Sequence, residues 1–327
     1  MNKVDLTTMA AELKKTKKVI ILTHENPDGD AIGSALALSK AMQANGSKVV
    51  VFSPDNPPSS FDFLDGFNDI KIASDPEVIE LVRKGYRIIV VDGSSPNRCG
   101  ISNFPPGSDP IVIDHHPTIE DYGQMVFVDT TKSSTAENIF HILNTAGMQI
   151  GLTISECLFT GIITDTGSFK YPNATSETFE ITAQLLKSGM STAKVSSMIY
   201  ERMSYANRKL LGRAMERLSV SFGGKFAITA VTWKDMNEFE AELRDTDFII
   251  DEIRKLGGCE IYVFAKEYRP DQFRISMRGR GMFDLSQLAL KYGGGGHHDA
   301  AGFNATGDWL FVRANLLQIF ESLFDNK

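Results

Sequence analysis

Short apolar runs alternate with longer helical patterns along the first part of the chain. Residues 18–23 (KVIILT) form a run of strand length with no polar face, which predicts a buried strand. Residues 31–44 place Ile32, Leu36, Leu38 and Met42 at helical spacing, and Asn45-Gly46 ends that helix. Residues 48–52 are the next strand, followed by buried strands at 87–91 (RIIVV) and 110–113 (PIVI) and a weaker one at 126–128. Strands alternating with helices predict an α/β fold, a Rossmann-like parallel sheet with helices on both faces.

From 133 to 218 the pattern is mostly helical, with Ser191 as an N-cap and a connecting helix over 206–218. The pattern then turns strand-like over 218–231, with Gly223-Gly224 as a hairpin signal. A helix over 247–256 closes at Gly257-Gly258, paired strands occupy 260–266 and 272–278, and a helix over 284–291 leads into the glycine run 293–296. The expected organisation is a first domain over 1–190, a helical linker over 191–217 and a smaller mixed α/β domain over 218–327.

Composition narrows the partners. With 42% hydrophobic residues, 23% charged residues and a net charge of -7, the chain reads as globular and lacks the basic surface needed to grip long duplex nucleic acid. A small anionic substrate stays open, because bound divalent cations invert a local field. Cys99, Cys157 and Cys259 are far apart, so neither a thiolate metal site nor a disulfide framework is indicated. No run approaches the ~20 apolar residues of a membrane span, and the N-terminus does not resemble a secretory signal. The cytoplasm is the expected location.

The candidate chemistry sits at strand ends. His24, Asp28 and Asp30 follow the first strand, Asp92 follows RIIVV, Asp114-His115-His116 follows PIVI, and Asp165 closes an apolar helical stretch. In an open parallel sheet such loops gather at the carboxyl edge, where ligands bind. Gly29 is expected to turn the chain between Asp28 and Asp30. Taken singly, Asp92 or Asp165 reads as a turn residue or a cap. Together with two adjacent histidines they read as ligands. Five of the six histidines (His24, His115, His116, His297 and His298) fall at such positions, and His141 reads as structural. Imidazole and carboxylate without thiolate suit Mn²⁺, Mg²⁺, Fe²⁺ or Zn²⁺. Two such ions ~3.5–4 Å apart can clamp a phosphoryl group and supply its nucleophile. Which histidine of the pair binds metal cannot be read from spacing.

With these motifs in this order, and with Gly294-Gly295-Gly296-His297-His298-Asp299-Ala300-Ala301-Gly302 near the end, the chain resembles the DHH phosphoesterase superfamily with its DHH-associated domain. It is most similar to the stand-alone group of nanoRNA exonucleases and pAp phosphatases. The resemblance implies two divalent ions, Mn²⁺ first among them. His24 and Asp28 would hold one ion, Asp30, His115 and Asp165 the other, and Asp92 would bridge both. It implies that Asp114 stands behind the metals and orients a histidine ring. His116 would face the scissile phosphate, as proton donor to the leaving group or as charge stabiliser. Gly294, Gly295, Gly296, His297 and Arg278, with Arg280 as a lesser candidate, would bind the substrate's far end in the second domain. Phe283 and Tyr292 are candidate base-stacking rings, though each also fits a core.

The expected substrate is a short oligoribonucleotide (nanoRNA) or pAp. Rivals are a c-di-AMP or pApA phosphodiesterase of the same superfamily and, in another class, a nucleotide sensor that does not cut. The oligomeric state stays open, a homodimer included.

Overall fold

Alternate residues of the buried strands serve two different cores, and this is what fixes the first sheet between two helical layers. The computed structural model describes residues 2–101, 104–117, 120 and 122–325; the side chains of Arg244, His297 and Asp325 lie outside the described residues. The chain divides into two compact units between Arg202 and Met203.

The first unit runs α1 (Leu6–Lys15), β1 (Lys18–Leu22), α2 (Gly29–Ala44), β2 (Lys48–Ser53), β3 (Lys71–Ile72), α3 (Asp75–Arg83), β4 (Arg87–Val91), β5 (Ile111–Asp114), β6 (Met125–Val128), α4 (Thr135–Thr145), α5 (Leu152–Asp165), α6 (Ser176–Leu186) and α7 (Thr192–Tyr200). Its six strands are parallel in the order β3-β2-β1-β4-β5-β6. Val19, Ile21, Ile89, Val91, Ile111 and Ile113 enter the core under α1, α2, α4 and α5. Ile20, Leu22, Ile88, Val90 and Val112 enter the opposite core, which contains Val78 of α3. This is the period-2 alternation of a strand buried on both faces. Strand order reverses between β1 and β4, the switch point at which doubly wound sheets bind ligands.

Two glycines let α2 lie hard against α5. A Cβ on Gly33 would stand 2.4 Å from the carbonyl oxygen of Cys157, and one on Gly29 would stand 2.4 Å from Oγ1 of Thr164. Gly29 is therefore not the turn expected between two carboxylates. It is the first residue of α2, which starts two residues earlier than its apolar pattern predicts, and Asp28 is its N-cap.

The second unit runs α8 (Tyr205–Arg217), β7 (Ser219–Ser221), β8 (Phe226–Val231), α9 (Trp233–Glu238), α10 (Ile249–Ile253), β9 (Ile261–Arg269), β10 (Gln272–Gly279), α11 (Leu285–Lys291), β11 (Gly295–His297), β12 (Ala300–Thr306) and α12 (Trp309–Asp325). Its mixed sheet has the order β11-β12-β10-β9-β8-β7, with β8 and β9 parallel and the other pairs antiparallel. One face packs on α11 and α12, the other on α8, α9 and α10. The glycine run is half strand: Gly295 to His297 pair with Ala300 to Gly302. The helix expected over 247–256 is the shorter α10. α7 contributes Val195 to the first core, and α8 contributes Leu210 and Ala214 to the second. Among the described residues no helix is long and apolar enough to cross a membrane. All three cysteines are free and buried.

Candidate metal centre

The carboxyl ends of β1, β4 and β5 and the facing ends of α2, α4 and α5 bring the first-unit candidates together. His24, Asp28 and Asp92 offer ligand atoms that lie within 4.8 Å of one another; so do Asp30, His115 and Asp165, and so do Asp92, His115 and His116. Asp92 turns different oxygens to the two sides. Its Oδ2 is 3.4 Å from His24 Nε2, and its Oδ1 is 3.9 Å from His115 Nε2. His115 Nε2 is also 3.9 Å from Asp30 Oδ2 and 3.6 Å from Asp165 Oδ2.

Backbone partners set the imidazoles. His24 Nδ1 donates to the Glu25 carbonyl at 2.7 Å, a shorter contact than the 3.3 Å to Arg98 Nη2. His115 Nδ1 stands 3.4 Å from the Lys132 carbonyl. A carbonyl only accepts, so each ring keeps its proton on Nδ1 and turns Nε2 toward the carboxylates, the arrangement of a metal-ligating histidine. Lone pairs of nitrogen and of carboxylate oxygens then converge on one space, an arrangement that repels itself unless a cation lies within.

The acidities carry the same message. Burial, followed by the charges of Asp92, Asp165 and Asp28, holds the Asp30 carboxyl well above the usual range. Burial raises Asp165 to about 6, with Asp92 and Asp28 adding to it against the opposing pull of His115. Burial would raise Asp92 too, but His24, His115 and His116 outweigh it and hold it low. An oxygen- and nitrogen-rich set with these mutual conflicts fits divalent cations.

Asp92 has φ +56, a left-handed conformation that costs a non-glycine residue roughly 1–2 kcal/mol. Such strain gathers at functional sites. The conformation is held by the Asp92 N–H donating to the Ile113 carbonyl at 3.0 Å and by Thr135 Oγ1 donating to Asp92 Oδ1 at 2.9 Å. Asp28 caps α2, accepting from the N–H groups of Asp30 and Ala31 at 3.0 Å each. Asp30 accepts from the N–H groups of Thr135 at 2.6 Å and Ala136 at 2.9 Å, at the positive end of α4.

Asp114 is the last residue of β5 rather than the first after it. One of its oxygens accepts from His115 N at 2.6 Å, His116 N at 2.7 Å and His116 Nδ1 at 2.8 Å. It thus orients His116. That bond, with the Asp114 and Asp92 charges and against the effect of burial, raises His116 to about 9. His116 is half-exposed and protonated at neutral pH, and among the described residues no hydrogen bond engages its second N–H.

In the second unit, Arg278 ends one face of β10 and, among the described residues, donates only to its neighbour's carbonyl, that of Met277, at 3.1 Å. Arg280 donates to Tyr262 Oη at 3.1 Å and to the Arg254 carbonyl at 3.2 Å, so its guanidinium is held by the fold. Phe283 is buried in the core, and Tyr292 stacks on Phe303. The backbone of His297 lies in β11, but its side chain lies outside the described residues. His141 faces Glu177 at 2.8 Å.

Sequence reasoning missed Thr135, Asn138 and Asn173. Asn138 donates to the Asp114 carbonyl at 2.9 Å, and Asn173 to that of Asp165 at 3.1 Å. A signal for the first was present: Ser134 to Glu137 forms an N-terminal capping pattern just after a strand, which places a helix start at the sheet's carboxyl edge.

Comparison with known proteins places this arrangement. The model of the DHH family N-terminal domain matches residues 18–162, and that of the DHHA1 domain matches residues 223–325. Over 302 residues the chain is 32% identical to the bifunctional oligoribonuclease and PAP phosphatase NrnA of Thermus thermophilus, covering 91% of this chain and 88% of that one. The chain belongs to the DHH family. A second DHH relative, the bifunctional oligoribonuclease and PAP phosphatase NrnA of Bacillus subtilis, is 29% identical over 87% of this chain and 88% of its own. The DHH fold is shared with a crystal structure of an exopolyphosphatase-related protein from Bacteroides fragilis, at a TM-score of 0.80 and 24% identity over 98% of this chain and 95% of that one.

Proposed function

We propose that this DHH-family chain is a metal-dependent phosphoester hydrolase that cuts short oligoribonucleotides to mononucleotides and releases phosphate from pAp. The observation that carries this reading is the convergence of His24, Asp28, Asp30, Asp92, His115 and Asp165 at one edge of the first sheet, with imidazole lone pairs turned inward. The names of the Thermus thermophilus and Bacillus subtilis relatives support the choice of substrates.

In this reading His24 and Asp28 would hold one divalent cation, Asp30, His115 and Asp165 would hold a second, and Asp92 would serve both. We assign Mn²⁺ as the metal. Such ions, when bound, neutralise the phosphoryl oxygens and activate water. The chain's own residues do the rest. The positive end of α4 fixes Asp30, Thr135 fixes Asp92, and Asp114 fixes His116 through Nδ1. That leaves the Nε2 proton of His116 for the departing oxygen, a general acid already charged at neutral pH. Arg278 and the glycine run, with His297, bind a terminal phosphate through bidentate and backbone hydrogen bonds. We assign Arg280 to the fold.

The test is a product assay in Mn²⁺ buffer with pAp, pApA, c-di-AMP and RNAs of two to ten nucleotides. Short RNAs giving mononucleotides and pAp giving AMP plus phosphate are expected. Turnover of c-di-AMP alone would replace this substrate class, and tight binding without any product would replace the hydrolase by a sensor.

A further inference from the structure

Asp92 holds its left-handed backbone just past the end of β4, and a glycine follows it at once. A strained residue beside a flexible one relaxes unless the next peptide is fixed as well. The bonds to the Ile113 carbonyl and from Thr135 act on Asp92 itself. Gly93 belongs to no strand, and among the described residues its carbonyl accepts one hydrogen bond, from the hydroxyl of Tyr122, 29 positions further on.

The Tyr122 ring is seated independently of that bond. It stacks on Phe104, with centroids 5.9 Å apart and planes 14° from parallel, and both rings pack on the apolar layer that contains Val90 and Val112. Phenylalanine would fill that seat equally well, so the ring does not account for the hydroxyl. Gly93 makes room for it: a Cβ there would stand 3.2 Å from the Tyr122 oxygen and 2.4 Å from Val90 Cγ1. Close approach thus requires glycine at 93, and the tyrosine takes up the freedom that glycine brings. At the next carbonyl, that of Ser94, the Glu120 N–H donates at 2.8 Å. The stretch after His116 is in this way tied, at two successive carbonyls, to the stretch after Asp92.

We propose that Tyr122 is a positioning residue of the metal centre. Its hydroxyl pins the Gly93 carbonyl and so keeps Asp92 in the conformation that turns one carboxylate oxygen toward His24 and the other toward His115. It acts through Asp92 and needs no contact with substrate. The role rests on the two-cation reading of the site and not on the choice of substrate.

The test is Mn²⁺ binding to the full chain by titration calorimetry without substrate, beside melting temperatures with and without saturating Mn²⁺. Tyr122→Phe keeps the ring and its stack on Phe104 and removes only the hydroxyl. Tyr86→Phe is the control: Tyr86 packs on the same apolar layer, and among the described residues its hydroxyl has no hydrogen-bond partner. Tyr122→Phe should weaken Mn²⁺ binding about tenfold, the scale of losing a group that supports a ligand from behind. The metal-free chain should keep its melting temperature, because relaxation of Asp92 offsets the lost hydrogen bond, while the rise produced by Mn²⁺ should shrink. At saturating Mn²⁺, kcat on short RNA should fall with KM unchanged. Wild-type Mn²⁺ affinity in Tyr122→Phe would overturn the role. So would a lowered metal-free melting temperature with the Mn²⁺-induced rise intact, which would give the hydroxyl to folding alone. An equal loss in Tyr86→Phe would reduce the effect to the apolar layer and overturn it too. A wild-type chain that binds no Mn²⁺ would sink the metal centre and this role with it. Binding is read without turnover, so Mn²⁺ affinity that depends on Tyr122 in a chain that cuts no RNA would sink the hydrolase reading and leave the role standing.

Discussion

Glycine does opposite work in the two units. In the first, Gly29 and Gly33 of α2 and Gly161 of α5 are closed in on every side: a Cβ on Gly161 would stand 2.6 Å from the Ala136 Cβ and 2.7 Å from Asp30 Oδ1. Their small size pulls two helices together, and Asp30 and Asp165 ride on those helices into the same acidic space. In the second unit Gly295 pairs with Gly302 in the sheet, no described atom lies within 4 Å of the place its Cβ would take, and it borders a hollow lined by Arg274. One region is built to crowd like charges until a cation is required. The other leaves an open hollow beside the strand. A glycine thus reports function only after its surroundings are known.

The largest effect should come from the crowded side. Asp92→Ala removes the carboxylate that faces both donor groups and should lower turnover by about a thousandfold or more, a loss of several kcal/mol of charge stabilisation. Hydrolysis rates and Mn²⁺ titration of the variant check this, and wild-type turnover would break the assignment. Next is Gly33→Ala, which drives a methyl group into the Cys157 carbonyl at 2.4 Å. It should cost about 1–3 kcal/mol, as overpacking does, read as a fall in denaturation midpoint.

Thr135→Val keeps the shape but removes the hydrogen bond to Asp92 Oδ1. Loss of such a supporting bond should weaken metal binding about tenfold, measured calorimetrically, with little change in melting temperature of the metal-free chain.

The second unit offers a pH test away from any metal. Asp235 is buried, and the hydrogen bonds from Arg217 and Thr232 overcome that burial and hold its carboxyl below the usual range. A depressed folded-state value means stability present above the unfolded value, roughly pH 4, and lost as pH falls through the folded one. Asp235→Asn should therefore cost about 1 kcal/mol at pH 7 and narrow its deficit against wild type as the pH is lowered below 4, followed by urea melts. The smallest effect is the sharpest contrast with Gly33: Gly295→Ala should change folding stability by no more than about 0.5 kcal/mol, the level of an unconstrained surface change. A large destabilisation there would erase the difference between the two regions.

Much of the first unit was legible because β1, β4 and β5 are short and apolar apart from one terminal residue each, and an acidic or imidazole residue at or just beyond the end of such a strand has few other roles. The Asp-Gly-Asp sequence misled because a turn and a helix N-cap draw on the same residues. Only the proximity of Thr164 and Cys157, more than a hundred positions away, explains Gly29 and Gly33. The strand character of the glycine run was hidden for a similar reason: β11 forms by pairing with β12, which is itself fixed by β10, and no local pattern records that. Thr135 escaped because a threonine's partner is not written in its neighbours, although the cap beside it was.

The central claim is that two cations belong on either side of Asp92. Anomalous diffraction from Mn²⁺-loaded crystals of the wild-type chain tests it most directly. Two peaks should appear, one among His24, Asp28 and Asp92 and one among Asp30, His115, Asp165 and Asp92. Density with no ion in either group, or manganese bound only elsewhere, would contradict the account.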